Sequence, residues 1–514
     1  MIHIQRPTFT RIATLSLLSA LSQSGCSSLW NGFTTGDPSS CVNTPTLCSQ
    51  AQVCNRDTGM CEASTVTDYF SYTGINPSMG KTGGGDAVDL RGTGFTTDTV
   101  VKIAGQPLVQ PMVQGNGTVI HGLTPVSPGR CGPVNVEVTR TGFPAALHPA
   151  EFLYKFEPYH NAPPFALANL NEEVLQIAQA EFTGDRFPDL IVSSLKTLYF
   201  VSNNAGAAGP AENTGLLFSK PIRFSVGAFQ LPGRTAAAIV DPNTNALLFV
   251  NTVSSFTPAY NNGTVPKDVA TINLDAVGTD EVVIYGSNTS STNYYLTPAR
   301  ESATGNVSAG STVNLGGSPL PAMAVLDITG DGFPDVVLGG ANSTSLVYAK
   351  STGSFGLTYA GAPAITLPVG VSSLVAADWD RDGKTDLAAL GTDGRVFFLK
   401  NQGNGSLIKI DEQPTTIKSA GGVTEPGPPM QAYDVNCDGL LDLILGPSAS
   451  VSPINNITIF LNDGQGHYPP KQTLPNTGGS FLFTDLNQDT LPDFVMRDPL
   501  LQKTGLNIAL GSIP

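Results

Sequence analysis

Four aspartates stand within nine residues, at Asp378, Asp380, Asp382 and Asp386 of "DWDRDGKTDL". The chain as a whole is only 13% charged, so the crowding is local. Carboxylates this close repel one another unless a cation sits among them. A hard ion such as Ca²⁺ takes six to eight oxygen ligands at about 2.3–2.6 Å, and side chains at positions 1, 3, 5 and 9 of a tight loop can all turn inward. Position 7 would add a backbone carbonyl, here from Lys384, and Gly383 at position 6 permits the sharp turn. An EF-hand begins the same way but needs a Glu at position 12 between two helices. Here position 12 is Ala389, and the apolar runs "LVAA" and "LAAL" predict strands on both sides. The rival reading is a set of Asx-turns without metal.

The stretch recurs. "DITGDGFPDVV" starts at Asp327, "DVNCDGLLDLI" at Asp434 and "DLNQDTLPDFV" at Asp485, with a weaker copy, "EFTGDRFPDLI", at Glu181. Degenerate copies near Phe229 and at Asp275 fill the gap, so seven units follow one another 46 to 56 residues apart. A fixed period of this size predicts a repeat architecture. Each unit also carries an apolar strand followed by an Asn/Gly turn, as in "VFFLKNQGNGSL" and "ITIFLNDGQGHY". Four short strands per unit is the pattern of a propeller blade. The sequence therefore predicts an all-β chain whose residues 158–514 form a seven-bladed β-propeller.

The acidic repeats resemble the FG-GAP/VCBS repeats of integrin α-subunit propellers and bacterial surface proteins. The resemblance implies metal ligands at Asp327, Thr329, Asp331, Phe333 (carbonyl) and Asp335, and at Asp378, Asp380, Asp382, Lys384 (carbonyl) and Asp386. It implies the same at Asp434, Asn436, Asp438, Leu440 (carbonyl) and Asp442, and at Asp485, Asn487, Asp489, Leu491 (carbonyl) and Asp493. Glu181, Thr183, Asp185 and Asp189 form a weaker set, with Arg186 where Gly is expected; Thr490 replaces that Gly in the last loop. About four structural Ca²⁺ ions are expected. Extracellular sites of this kind need bind only at about 10⁻⁴–10⁻³ M.

Ahead of the repeats, residues 68–157 read as strands and turns. "VNVEVTR" alternates, as does "AEFLYKF". Pro77, Gly80, Gly84, Val88, Leu90, Gly92, Gly94 and Phe95 follow a pattern that resembles the IPT/TIG family of immunoglobulin-like sandwiches. "GINPSMGKT" imitates a phosphate loop but has one residue too many between its glycines, so Lys81 and Thr82 are read as turn residues.

The first 26 residues read as an export signal: Arg6 and Arg11, then a short apolar run, then "LSQSGC". This resembles a bacterial lipobox, which implies lipidation at Cys26 and anchoring at the outer membrane or cell surface. Without lipidation the protein would be secreted. Residues 27–67 hold Cys41, Cys48, Cys54 and Cys61, a density that reads as a small disulfide module with its pairing open. Cys131 and Cys437 lie in different expected domains and are expected to be free and buried.

The net charge of −15 argues against a nucleic-acid partner. None of the five His belongs to a zinc-protease motif and no GxSxG elbow occurs. The leading expectation is a non-enzymatic adhesion or ligand-binding protein, with a protein or glycan on a propeller face and the membrane touched only through lipid. The rivals are a polysaccharide lyase or hydrolase, marked by a deep central pocket with a basic residue beside Tyr or His, and a structural envelope component. Recognition is expected in the degenerate stretch from Gln230 to Tyr285 or in the insertion from Ile408 to Met430.

Overall fold

The computed structural model describes residues 52–54, 60–63, 69–156 and 165–511, apart from 115, 171, 231–232, 258–259, 262, 276–277, 416–427, 447–456, 475–479 and 498–504. Cys26, Cys41 and Cys48 lie outside these residues. The backbone of Gln52–Cys54 pairs antiparallel with Cys61–Ala63 and sets Cys54 opposite Cys61. Among the described residues there is no helix, so none is long and apolar enough to cross a membrane.

Residues 71–155 form two sheets of four and five strands packed face to face. Alternation sets the core: in Gly132–Thr139, Val134, Val136 and Val138 point inward. They meet Val88, Leu90, Ile103, Phe152 and Tyr154 from both sheets. The buried Tyr154 hydroxyl donates to Pro125 O (2.7 Å). Gly94 has φ +72°, and a Cβ there would stand 1.8 Å from Tyr69 O, so only glycine fits. The imitation phosphate loop is a strand-to-strand connection through a cis Asn76–Pro77 bond. Lys81 closes the short strand Met79–Lys81 instead of lying in the turn.

The rest of the described chain is a β-propeller. Its sheets, labelled P1 to P7, span 174–213, 223–256, 265–316, 322–366, 371–414, 430–474 and 481–509. Each runs antiparallel from an innermost first strand outward. The second strands are buried on both faces, as in Asp386–Gly391 and Asp335–Gly340, because a neighbouring sheet covers each side. That is why they read as unbroken apolar runs. The core is accordingly divided into clusters between consecutive sheets. Leu387, Ala389 and Phe397 pack on P4, while Ala388, Leu390 and Phe398 pack on P6. P7 packs on P1 through Val495, Leu506 and Ile508. P7 is completed by Phe165–Asn169, from the start of the propeller, which pairs with Gly505–Ala509 near its end. The ring is thus closed by both ends of its own chain.

Cys131 and Cys437 are not free. They form a disulfide with Cα atoms 5.7 Å apart, across a sequence separation of 306 residues. The expectation failed because it placed the two cysteines in domains without asking where the domains touch. The last strand of the sandwich runs straight onto the Asp434 loop, where Phe156 N donates to Asn436 O (2.8 Å).

Candidate metal loops

Each acidic stretch joins the first and second strands of one sheet, on the same end of the ring as the turns between third and fourth strands. The five loops share one hydrogen-bond plan. The position 1 acid caps the turn: Asp378 Oδ2 accepts Gly383 N (3.0 Å), Asp327 Oδ2 accepts Gly332 N (2.7 Å), Asp434 Oδ2 accepts Gly439 N (2.7 Å) and Asp485 Oδ2 accepts Thr490 N (2.9 Å). In the weak copy Glu181 Oε1 accepts Gly184 N (2.7 Å), two residues earlier in the loop. The position 5 carboxylate holds the position 7 amide: Asp382 with Lys384, Asp331 with Phe333, Asp438 with Leu440, Asp489 with Leu491 and Asp185 with Phe187. Thr490 adopts φ +72° where the other strong loops have Gly, so the turn is kept at a cost in strain.

The position 9 acids Asp189, Asp335, Asp386, Asp442 and Asp493 are fully buried and open their second strands. One oxygen of each accepts an amide at position 2 or 3 of its loop: Asp386 from Trp379 (3.3 Å), Asp442 from Val435 (3.1 Å), Asp493 from Leu486 (2.7 Å), Asp335 from Thr329 (3.1 Å), and Asp189 from Phe182 and Thr183 (both 3.0 Å). The other oxygen accepts the amide that follows or ends the third strand: Asn401, Asn462, Gly511, Ser351 and Asn203. Burial pushes Asp386 up to about 6, Asp493 to about 7 and Asp442 to about 8, against these amides. Asp335 is raised for the same reason. These carboxylates pin the hairpin, and in the four strong loops each oxygen keeps a second lone pair for a cation, whereas Asp189 Oδ2 already accepts two amides.

Positions 1, 3 and 5 converge. Ligand oxygens of Asp378, Asp380 and Asp382 all lie within 4.8 Å of one another. Asp378 Oδ1 is enclosed and has no hydrogen-bond partner. A buried carboxylate oxygen left unpaired is costly, and a hard cation held by these three side chains would satisfy it. The donor set fits Ca²⁺. The other loops offer two acids and a neutral oxygen at position 3, from Thr329, Asn436 or Asn487. Asn436 and Asn487 each turn Nδ2 to the position 5 acid, Asp438 (3.1 Å) and Asp489 (3.0 Å). Lys400 pairs with Asp380 and with Asp382 Oδ2 (3.0 Å), which holds Asp382 below the usual carboxylate range. Lys350 does the same to Asp331 (3.0 Å).

Three parts of this arrangement were missed in the sequence. The Asn after the third strand is a clamp between sheets. Asn401 Nδ2 donates to Thr385 O (2.9 Å) in its own loop and to Asp327 O (2.8 Å) in the preceding one. Asn462 bonds Leu441 O and Trp379 O in the same way, and Asn203 bonds Pro188 O and Leu486 O, across the ring closure. The repeated Asn/Gly turn was visible, but an Asn there reads as turn chemistry alone. Glu281 stands in the position 9 place in P3, buried, with Oε2 accepting Leu274 N (2.8 Å). The neutralising lysines carry no local signal at all.

At the opposite end of the ring the first strands open into a cavity of about 310 Å³ at the central channel. Arg223, Asp268, Met323, Ser373, Pro428 and Met430 are among its lining residues. Both segments singled out for recognition reach it, the degenerate stretch through Asp268 to Ala270 and the insertion through Pro428 to Met430. Trp379 is buried between P5 and P6 against Phe398 and Tyr468, so its ring is not a surface for stacking on sugars.

An FG-GAP-like repeat model matches residues 327–389 and 378–445, and an IPT/TIG domain model matches residues 71–156. No curated protein matches the sequence. Similar solved structures include BBS1N in complex with ARL6DN, soaked with lead, at 12% identity and TM-score 0.45, covering 68% of this chain and 96% of that one. The Dos1 propeller is 9% identical at TM-score 0.41, covering 85% and 95%. The six-bladed fucose-recognising lectin of Aleuria aurantia is 11% identical at TM-score 0.36, covering 61% and 98%. At these scores the blade arrangement rests on this chain's own sheets. The chain carries FG-GAP-like repeats on a β-propeller, behind an IPT/TIG domain.

Proposed function

We propose that the protein is an exported, non-enzymatic ligand-binding protein: a calcium-stabilised propeller of seven blades that recognises a protein or glycan at the mouth of its channel. The observation that carries this reading is the division of the ring into two unlike ends. One end carries the acidic loops and the Asn clamps, and the IPT/TIG domain docks there on the Asp434 and Asp485 loops. The other holds an open cavity in which Arg223, half-buried, has no ion-pair partner among the described residues. Loops and insertions on a rigid scaffold are where recognition usually sits. Ca²⁺ would be held by Asp378, Asp380 and Asp382, and by the corresponding residues of the Asp327 and Asp485 loops. It would supply charge balance and fix the hairpins. Export through the Arg6–Cys26 segment and a lipid anchor at Cys26 belong to the same proposal. So does the disulfide module at Cys41, Cys48, Cys54 and Cys61.

The test is binding of purified protein, in millimolar Ca²⁺, to a glycan array and to a panel of immobilised envelope proteins. The expected result is a ligand whose binding falls at least tenfold in Arg223→Ala. A ligand bound equally well by that variant would move recognition away from the channel mouth.

A further inference from the structure

The acidic loops differ in what balances their charge. In P3, P4 and P5 a basic residue at the same place near the end of the third strand reaches the loop of its own sheet. Arg300 Nη1 lies 3.1 Å from Asp275 Oδ2, Lys350 Nζ 3.0 Å from Asp331 Oδ2, and Lys400 Nζ 3.0 Å from Asp382 Oδ2. In P6 that place is Leu461. The cation instead comes from outside the propeller: Lys155 Nζ of the IPT/TIG domain lies 3.2 Å from Asp438 Oδ2, whose side chain is 5% exposed. Lys155 is held in position to do this. It ends the strand Ala146–Lys155, and its carbonyl accepts Thr82 N (3.1 Å). Around it, Phe156 N donates to Asn436 O, the Cys131–Cys437 disulfide closes, and Phe156, both cysteines and Leu491 form a small buried cluster. Cys437 and Asn436 are themselves residues of the acidic loop, and Leu491 belongs to the next one.

We propose that the Asp434 loop is the docking socket of the IPT/TIG domain: Lys155, tethered there by the disulfide, holds the nearly buried Asp438 in place of Ca²⁺, whereas Lys350 and Lys400 pair with Asp331 and Asp382, whose side chains are 32% and 27% exposed, and can swing aside for the ion. Metal binding and domain docking then compete for Asp438. The disulfide, which ties the domain to this same loop, keeps Lys155 at high local concentration and tilts the competition toward docking. The inference rests on the calcium reading of the loops, and it assigns this one loop a different occupant.

The experiment counts bound Ca²⁺ on the full oxidised protein by equilibrium dialysis and elemental analysis at millimolar Ca²⁺. Lys155→Met is expected to bind one ion more than wild type. Lys155→Arg, which keeps the charge, should not gain it, and Lys155→Met combined with Asp438→Asn should lose it again. Equal counts in wild type and Lys155→Met, with Ca²⁺ present at other loops, would overturn the competition. If no variant binds Ca²⁺, the calcium reading itself falls. Docking is then judged by hydrogen exchange at the Phe156 amide, expected to quicken at least tenfold in reduced Lys155→Met against reduced wild type. An unchanged rate would overturn the socket.

Discussion

Asn401 shows how much one side chain carries in this ring. It is fully buried, its amide N–H serves Asp386, and its side chain bonds carbonyls of two successive acidic loops. Removing the side chain leaves Asp327 O and Thr385 O without these donors. Leaving buried groups unsatisfied costs about 1–3 kcal/mol. Asn401→Ala should therefore lower the free energy of unfolding by about 1–3 kcal/mol, read as a lower urea midpoint. Asn404→Ala, in the exposed turn three residues on, should cost under about 0.5 kcal/mol. If the two variants were equally stable, Asn401 would be a turn residue and no clamp. The sequence displays the acids of each loop openly, because Asp at every second position is improbable by chance. It does not display the clamp, because an Asn ahead of a Gly turn has a sufficient local explanation. It does not display Lys350 or Lys400 either, since a basic residue in an outer strand reads as solvated surface. Cys131 and Cys437 failed for a different reason. A bond across 306 residues is set by how two domains meet, and no spacing encodes that.

At the scale of the hairpin, the buried position 9 acids set a pH dependence whose direction is fixed. Burial raises Asp386, Asp493 and Asp442 to about 6, 7 and 8 in the folded protein, with Asp434 at about 6. Unfolded, a carboxyl of this kind titrates near 4. Between those values the folded state binds more protons than the unfolded one, so stability falls as pH rises. Protein in chelator is therefore expected to lose melting temperature steadily between about pH 5 and pH 8. A ligand that binds only the native loops raises stability by mass action, and Ca²⁺ needs the ionised acids. Millimolar Ca²⁺ should thus raise the melting temperature most at pH 8 and least at pH 5. Parallel curves with and without Ca²⁺ would separate the hairpin acids from metal binding. No shift at any pH, with no calcium found by elemental analysis, would reduce the loops to Asx-turns. The outline of this element was legible, since acids, turn Gly and flanking apolar runs all point to a hairpin. The role of position 9 was only half legible: the same Asp can serve amides, metal or both, and only its burial shows that it serves amides.

At the scale of the whole molecule, stability depends on closing the ring. The last strand, Gly505–Ala509, pairs on one side with Asp493–Arg497 and on the other with Phe165–Asn169. Leu506 and Ile508 are fully buried in the cluster that joins P7 to P1, and Gly511 N satisfies Asp493 Oδ1 (2.8 Å). Burying two such side chains contributes about 1.5–3 kcal/mol each, close in sum to a large share of a domain's net stability. Ending the chain before Gly505 would remove them together. It would also strip Asp493 of an amide and leave two strand edges unpaired, which invites pairing with other chains. The truncated protein is expected to lose the cooperative transition of the ring and to associate, seen as a broadened melting curve and a mass above monomer in light scattering. The IPT/TIG sandwich has its own core of Val88, Leu90, Val136, Phe152 and Tyr154, so its transition should remain in the same sample. A truncated chain that melts sharply as a monomer at the wild-type temperature would show that the ring does not depend on this closure. The sheets would then have to hold through their other neighbours alone, and Asn203, which bonds Leu486 O across the same seam, would be the next side chain to remove.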